Sequence, residues 1–315
     1  MVKYKILLFA LVTILSCGIT NSNFSIFNPG LLDYYSNVNQ AENYILDGLY
    51  NDAIKHYEIA FSNNYSFPVD YYNAFMASLL IKNEIKSKKY LNKLAEYGAI
   101  KEWLRNKAND TIFFDKIAVD FNQIRSLSVD SNMLKFSSFF DDLFQQDQNC
   151  RDGSITTNEL LEECDDNVML KLYNFIDKYG FPTFEKIGVF GDFDLTGFRD
   201  MQLDMILIHQ RSYTGKKIEK IAFDAVQRGE YDVRSFIRFT DYQSNELLTR
   251  IPTEPISKEE LKEINKRRTK FGLFSVEDYM RRIDYHRNNL TTNKFYFVSF
   301  WDYGINFNSE LKIIE

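Results

Sequence analysis

The apolar positions of this chain recur mostly at helical spacing. From Gln40 to about Gly98 they fall into pairs: Ala41, Tyr44, Ile45 and Gly48 share one face, Ala53, Tyr57 and Ala60 the next, with Gly48 to Asp52 as the turn between them. Pro68 opens a second pair. Tyr72, Phe75, Met76, Leu79 and Leu80 lie on its first helix and Tyr90, Leu91, Leu94 and Tyr97 on its second, with Gly98 as the stop signal. Residues 100 to 145 continue as helices rich in aromatics. Further on, Asn167 to Tyr179 is amphipathic and ends at Gly180-Phe181-Pro182. Phe198 to His209 reads as a buried helix, with Lys216 to Arg228 and Val233 to Leu248 as two more. Ser257, with Glu260 three residues on, predicts a capping box at the head of a charged helix over Lys258 to Lys270. Only the end changes period: Phe295 to Phe300 and Glu310 to Ile314 alternate, which predicts a small terminal β-hairpin.

The expected fold class is therefore mainly α, with N-terminal repeat-like helical hairpins packed on a C-terminal helical domain. The small residues Gly48, Ala53 and Ala60 allow two helices to approach closely, and their spacing with the aromatics resembles a tetratricopeptide repeat. The second pair fits that pattern loosely. Two units are fewer than the three or so that a free-standing solenoid needs, so the module is expected to pack on the helices C-terminal to it.

The first seventeen residues, MVKYKILLFALVTILSC, obey a different logic. Lys3 and Lys5 precede an apolar run from Ile6 to Leu15, the layout of a secretory signal peptide, and that run of about ten residues is half of what a membrane span requires. Ile14-Leu15-Ser16-Cys17 resembles a bacterial lipobox. That resemblance implies lipidation of Cys17, which becomes the new N-terminus, and a mature chain held to a bacterial envelope membrane by lipid alone, with secretion as the alternative. The expected division is a signal peptide over 1–17, a tether over 18–33, a tetratricopeptide-like module over 34–110 and a helical connector over 111–146. A second helical domain over 147–285 and a tail over 286–315 complete it.

Composition sharpens this picture in two ways. Aromatics make up 16% of the chain while Gly (13) and Pro (5) are scarce, which excludes a long disordered chain and a turn-rich all-β fold. With 38 basic residues against 44 acidic ones the net charge is -6, so charge gives no reason to expect nucleic-acid binding. In an exported compartment Cys150 and Cys164 are candidates for a disulfide, with two free thiols as the alternative reading. Neither has a nearby histidine or a Cys-x-x-Cys partner, so no zinc site is expected.

The chemistry-bearing residues are few. Asp147, Gln148 and Arg151 share one helix face, Asp166 and Asn167 head the next amphipathic helix, and His209 ends an apolar run. Separated in sequence, these six can converge between helices, where a carboxylate beside an imidazole raises its basicity. His209, Asp147, Arg151 and Asp166 are then the catalytic candidates, with Gln148 and Asn167 as binding residues. A buried network that fixes helix packing is the competing explanation. Asp192 and Asp194 form a pair of loop acids, and His56 and His286 read as surface residues. Asp152, Gly153, Ser154 and Glu159 imitate half of an EF-hand, but Gln148 and Cys150 stand where its first two acidic ligands belong, so no metal is expected. No phosphate loop, nucleophile elbow or H-E-x-x-H helix is present, and no cofactor is expected.

Asp147-Gln148-x-x-Arg151, Asp166-Asn167, Tyr179-Gly180-Phe181-Pro182, His209 and Asn265-Lys266-Arg267-Arg268 with Phe271-Gly272-Leu273 resemble, in this order, an uncharacterised family of bacterial secreted proteins and lipoproteins. The resemblance covers about 147 to 280. Ile208 stands where the family pattern has a glutamine, and a Tyr-Gly-Thr-Gln stretch is missing between Asp241 and Asn265. It implies domain limits and a shared polar cluster, and it brings no activity with it. The function expected is a binding or scaffold component of the envelope whose partner is another protein, since paired helices present concave binding surfaces. The alternative is an enzyme with hydrolase-like acid/base chemistry around His209, Asp147 and Arg151.

Overall fold

The structure, a computed structural model, describes residues 27–151, 157–189, 200–244, 254–289, 295–297 and 311–314. The leader, Cys17, the half EF-hand at 152–156, Asp192 and Asp194 lie outside them. Among the described residues the chain is a succession of helices with one two-residue strand pair.

Helix α1 (Pro29–Leu46) starts where Pro29 occupies the first helical position and the Asn28 side chain accepts from the Gly30 amide at 2.9 Å. The chain turns back through Gly48 into α2 (Tyr50–Phe61), and a second hairpin is formed by α3 (Pro68–Leu80) and α4 (Glu84–Glu96). Three short helices, α5 (Lys101–Lys107), α6 (Thr111–Ile117) and α7 (Phe121–Ser128), lead on, with α7 packed along α4. Then α8 (Ser131–Asn149) packs against α9 (Asn158–Tyr179), the one-turn α10 (Phe184–Ile187) and the long α11 (Asp200–Gln227). Helix α12 (Val233–Ser244) folds back on α11, and α13 (Lys258–Lys270) precedes α14 (Val276–Asn288), which rests on α1. β1 (Ile256–Ser257) pairs with β2 (Ile313–Ile314) in parallel.

One hydrophobic cluster runs from Phe27 to Phe297. The hairpin module is thus part of a common core, as two repeat units alone require. Helix α3 is buried nearly all round, from Pro68 and from Asp70 to Ser78. Two glycines let the module seat on the rest: at Gly229 (φ +74°) a Cβ would lie 2.5 Å from the Tyr65 ring, and at Gly272 (φ +70°) 3.0 Å from Tyr35 Cβ. Asn39 closes the second contact by donating to the Gly272 carbonyl at 2.9 Å.

Several boundaries differ from those read in the sequence. The stretch 18–33 expected as tether is already helical at Pro29, because Phe27 and Leu31 are core residues. Within the expected connector 111–146, α8 is a packing hub that crosses the limit at 146. A single helix, α11, replaces the two expected over 198–228: Leu207 and Ile218 are eleven residues apart, three helical turns, so the buried stripe stays in phase through Gly215. The terminal strand exists and pairs in parallel with Ile256–Ser257, while residues 298–310 of the expected hairpin lie outside the described residues. The capping box at Ser257 and Glu260 is present, with both reciprocal hydrogen bonds formed.

Gly229→Ala should cost about 2 kcal/mol, from the left-handed backbone and the collision with Tyr65 together, and lower the melting temperature by several degrees. Thermal unfolding followed by circular dichroism checks it. A variant as stable as the parent would show that Tyr65 swings away freely.

Candidate functional site

The C-terminal turn of α8, the N-terminal half of α9 and the middle of α11 meet at a polar cluster. Asp147 is fully buried there. Its Oδ2 lies 2.7 Å from Nδ1 of His209 and accepts from the Gln148 side chain at 2.8 Å. A carboxylate oxygen accepts, so Nδ1 is the nitrogen that donates in this contact and Nε2 is turned away from it. Arg151, one turn after Asp147, donates to the Asp147 carbonyl at 3.0 Å and to Oδ1 at 3.2 Å. Its other nitrogen holds both oxygens of Asp165, at 2.8 and 3.0 Å. The Cys150–Cys164 disulfide ties the same two helices beside this pair. His209 keeps 17% of its side-chain surface exposed, so one edge of the ring is reachable from solvent.

Four of the six residues singled out from the sequence therefore converge: Asp147, Gln148, Arg151 and His209. Asp166 and Asn167 do not, because both are exposed on the outer face of α9. Their place is taken by Asp165. The signal was available, since Asp165 is on the same buried stripe as Val168, Met169, Leu172 and Phe175. Thr157 caps α9, accepting from the Leu160 amide at 3.3 Å.

The histidines read as surface residues behave differently. His56 is half-buried, 3.1 Å from the Asn37 side-chain oxygen. His286 is buried beside Tyr285 and Phe297, where loss of hydration pushes its pKa down to about 4.

A second polar cluster, unforeseen in the sequence, lies where the hairpin module meets α12 and α14. Arg234 donates to Asp70 at 3.0 Å, to Glu42 at 3.3 Å, and through Nε, Nη2 and its own backbone amide to Asp232. Arg282 donates to Glu42 at 2.8 Å and to Asn43 at 3.0 Å. Tyr34 donates to Asp70 at 2.6 Å, and the Tyr35 hydroxyl accepts from the Val233 amide at 3.0 Å. Glu42 sits on the buried stripe of α1 between Val38 and Ile45, but its partners are about 190 and 240 residues away, beyond any local pattern.

No protein-family model matches this chain, and neither a curated protein nor a solved structure does. Among the described residues no group of three or more His, Cys, Asp or Glu side chains is placed to hold a metal ion, and no helix is long and apolar enough to cross a membrane.

Two outcomes are expected. Arg151→Ala removes the donor shared by two buried carboxylates and should cost about 3 kcal/mol, whereas Asp166→Ala and Asn167→Ala should stay within about 0.5 kcal/mol. Equal melting temperatures for all three would show that the cluster does not support the fold. For His286 the unfolded chain binds a proton below about pH 6.5 and the folded one only below about 4, so stability falls as pH drops through that window. Relative to His286→Gln, the parent should lose about 3 kcal/mol between these limits, read from urea unfolding at each pH.

Proposed function

We propose that this chain is an exported, lipid-anchored envelope protein that acts as a binding or scaffold component, with its helical module engaging another protein. The observation that carries this reading is the surface where α3, α4 and α6 come together. A cleft of about 190 Å³ is lined by Met76, Leu79, Leu80 and Phe113, with the Lys82–Asp110 ion pair at its edge. Ile112, next to Phe113, is 84% exposed, and Ile85, three residues after Lys82, is 81% exposed. Large aliphatic side chains held this far into water beside an apolar cleft favour a partner that covers them. The cleft is of a size to take one large apolar side chain. Export is supported by the leader pattern of residues 1–17 and by the disulfide, a bond that persists in oxidising compartments.

A second reading rests on the Asp147–His209 contact at 2.7 Å, which orients an imidazole with Nε2 turned away from the carboxylate, as in a general base. In that reading Arg151 is committed to Asp147 and Asp165 and serves as a positioning residue.

A photoreactive side chain at position 112 of the full chain should give a discrete adduct in cells, lost on Leu79→Glu and kept on His209→Ala. Loss on His209→Ala with retention on Leu79→Glu would transfer the function to the α8–α9–α11 cluster. No adduct at all would remove the module as a docking surface. Cys17→Ala should release the chain from the membrane fraction, and its retention there would count against the lipid anchor.

A further inference from the structure

Among the described residues, more carboxylates than guanidiniums meet in the joint that fastens the hairpin module to the rest of the protein. Glu42 and Asp70 are fully buried and Asp232 nearly so, and they face two guanidiniums, Arg234 and Arg282. Beside it Arg238 pairs with Asp204, to which the Tyr231 hydroxyl donates at 2.6 Å, and the Arg238 charge also reaches Asp232. Tyr34, Tyr35 and Tyr57 face the joint from α1 and α2 as neutral phenols, kept so by burial. His286, one turn beyond Arg282 on α14, stays neutral above about pH 4 and adds no positive charge. Among the described residues three carboxylates share the two guanidiniums that hydrogen-bond to them, and a deeply placed carboxylate short of a full counter-ion is relieved most readily by a proton.

The hydrogen bonds show which carboxylate holds it. Asp232 accepts from three nitrogens of Arg234, and Glu42 accepts from both arginines. Asp70 receives one guanidinium N–H and one phenol, the weakest compensation of the three. We infer that this joint is a proton-binding fastening: Asp70 takes up one proton on mild acidification, and the module is then held most firmly. Burial, with Asp232 and Glu42 alongside, pushes the Asp70 carboxyl up to about 6 against the pull of Arg234. Because the folded value lies above the ordinary 3.8, the folded state holds more protons between about pH 4 and 6. The contribution of Asp70 to stability is therefore present in acid and falls as pH rises through that window. Above it, the extra charge strains the contact between α1, α3 and α12.

The test uses the full chain labelled with carbon-13 at aspartate side-chain carboxyls. The Asp70 resonance should titrate near pH 6, and Asp70→Asn, which copies the protonated shape, should gain on the parent in melting temperature as pH is raised from 4 to 7. An Asp70 resonance that titrates at or below its ordinary value overturns the inference, and so does a parent that keeps a constant difference from Asp70→Asn across the range. If the divergence appears in Glu42→Gln instead, the assignment to Asp70 fails.

Discussion

The Arg234 guanidinium is the point on which the architecture converges. It reaches α1 through Glu42, α3 through Asp70 and its own turn through Asp232, with the Tyr35 ring 5.5 Å from its centre. A buried cation of this kind is costly unless every direction is answered, so its three carboxylates fix the helix ends that carry them to within hydrogen-bond distance. The neighbouring contacts inherit that constraint. Tyr35 packs against Gly272, α14 rests on α1 through Arg282, and Tyr34 is held between Asp70 and Phe67. Such fixed points suit an aromatic-rich core, because they give buried phenols such as Tyr34 a partner for the hydroxyl.

What the sequence could reveal was whatever depends on neighbours within one or two helical turns. The paired helices between Gln40 and Gly98, the stop at Gly98 and the capping box at Ser257 all arise from local spacing and local hydrogen bonds. Four of the five members of the α8–α9–α11 cluster were legible too, since Asp147, Gln148 and Arg151 share a helix face and His209 ends an apolar stripe. Asp165 was missed by one position in favour of its neighbour Asp166, because a run of two aspartates does not say which points inward; the stripe of Val168 and Leu172 does. Arg282 and His286 lie on the buried stripe of Val276, Tyr279 and Ile283, but neither they nor Arg234 show in their local pattern what they meet. Their burial is decided by chain segments up to about 240 residues distant, and in isolation each looks like an ordinary polar residue on a helix.

The two polar clusters differ in what they leave accessible. In the joint around Arg234 the carboxylates of Glu42, Asp70 and Asp232 are buried, and the guanidinium that they hold keeps 14% of its side-chain surface exposed. The cluster on α8, α9 and α11 is sealed on one side by Asp147 and Asp165 and open on the other at His209. The aliphatic surface near Ile85 and Ile112 belongs to neither. The two polar clusters and the exposed aliphatic surface thus occupy separate places on one core.

Arg151 directly follows Cys150, and Asp165 directly follows Cys164, so the ion pair and the disulfide join α8 to α9 side by side, one residue apart on each. A lone covalent bridge between two helices is a pivot: it fixes separation and leaves rotation about itself open. The guanidinium alongside, held by both oxygens of Asp165, takes that rotation away. Asp147, one turn before Arg151, therefore presents its carboxylate to His209 in a single direction, and the imidazole is aimed as well as held.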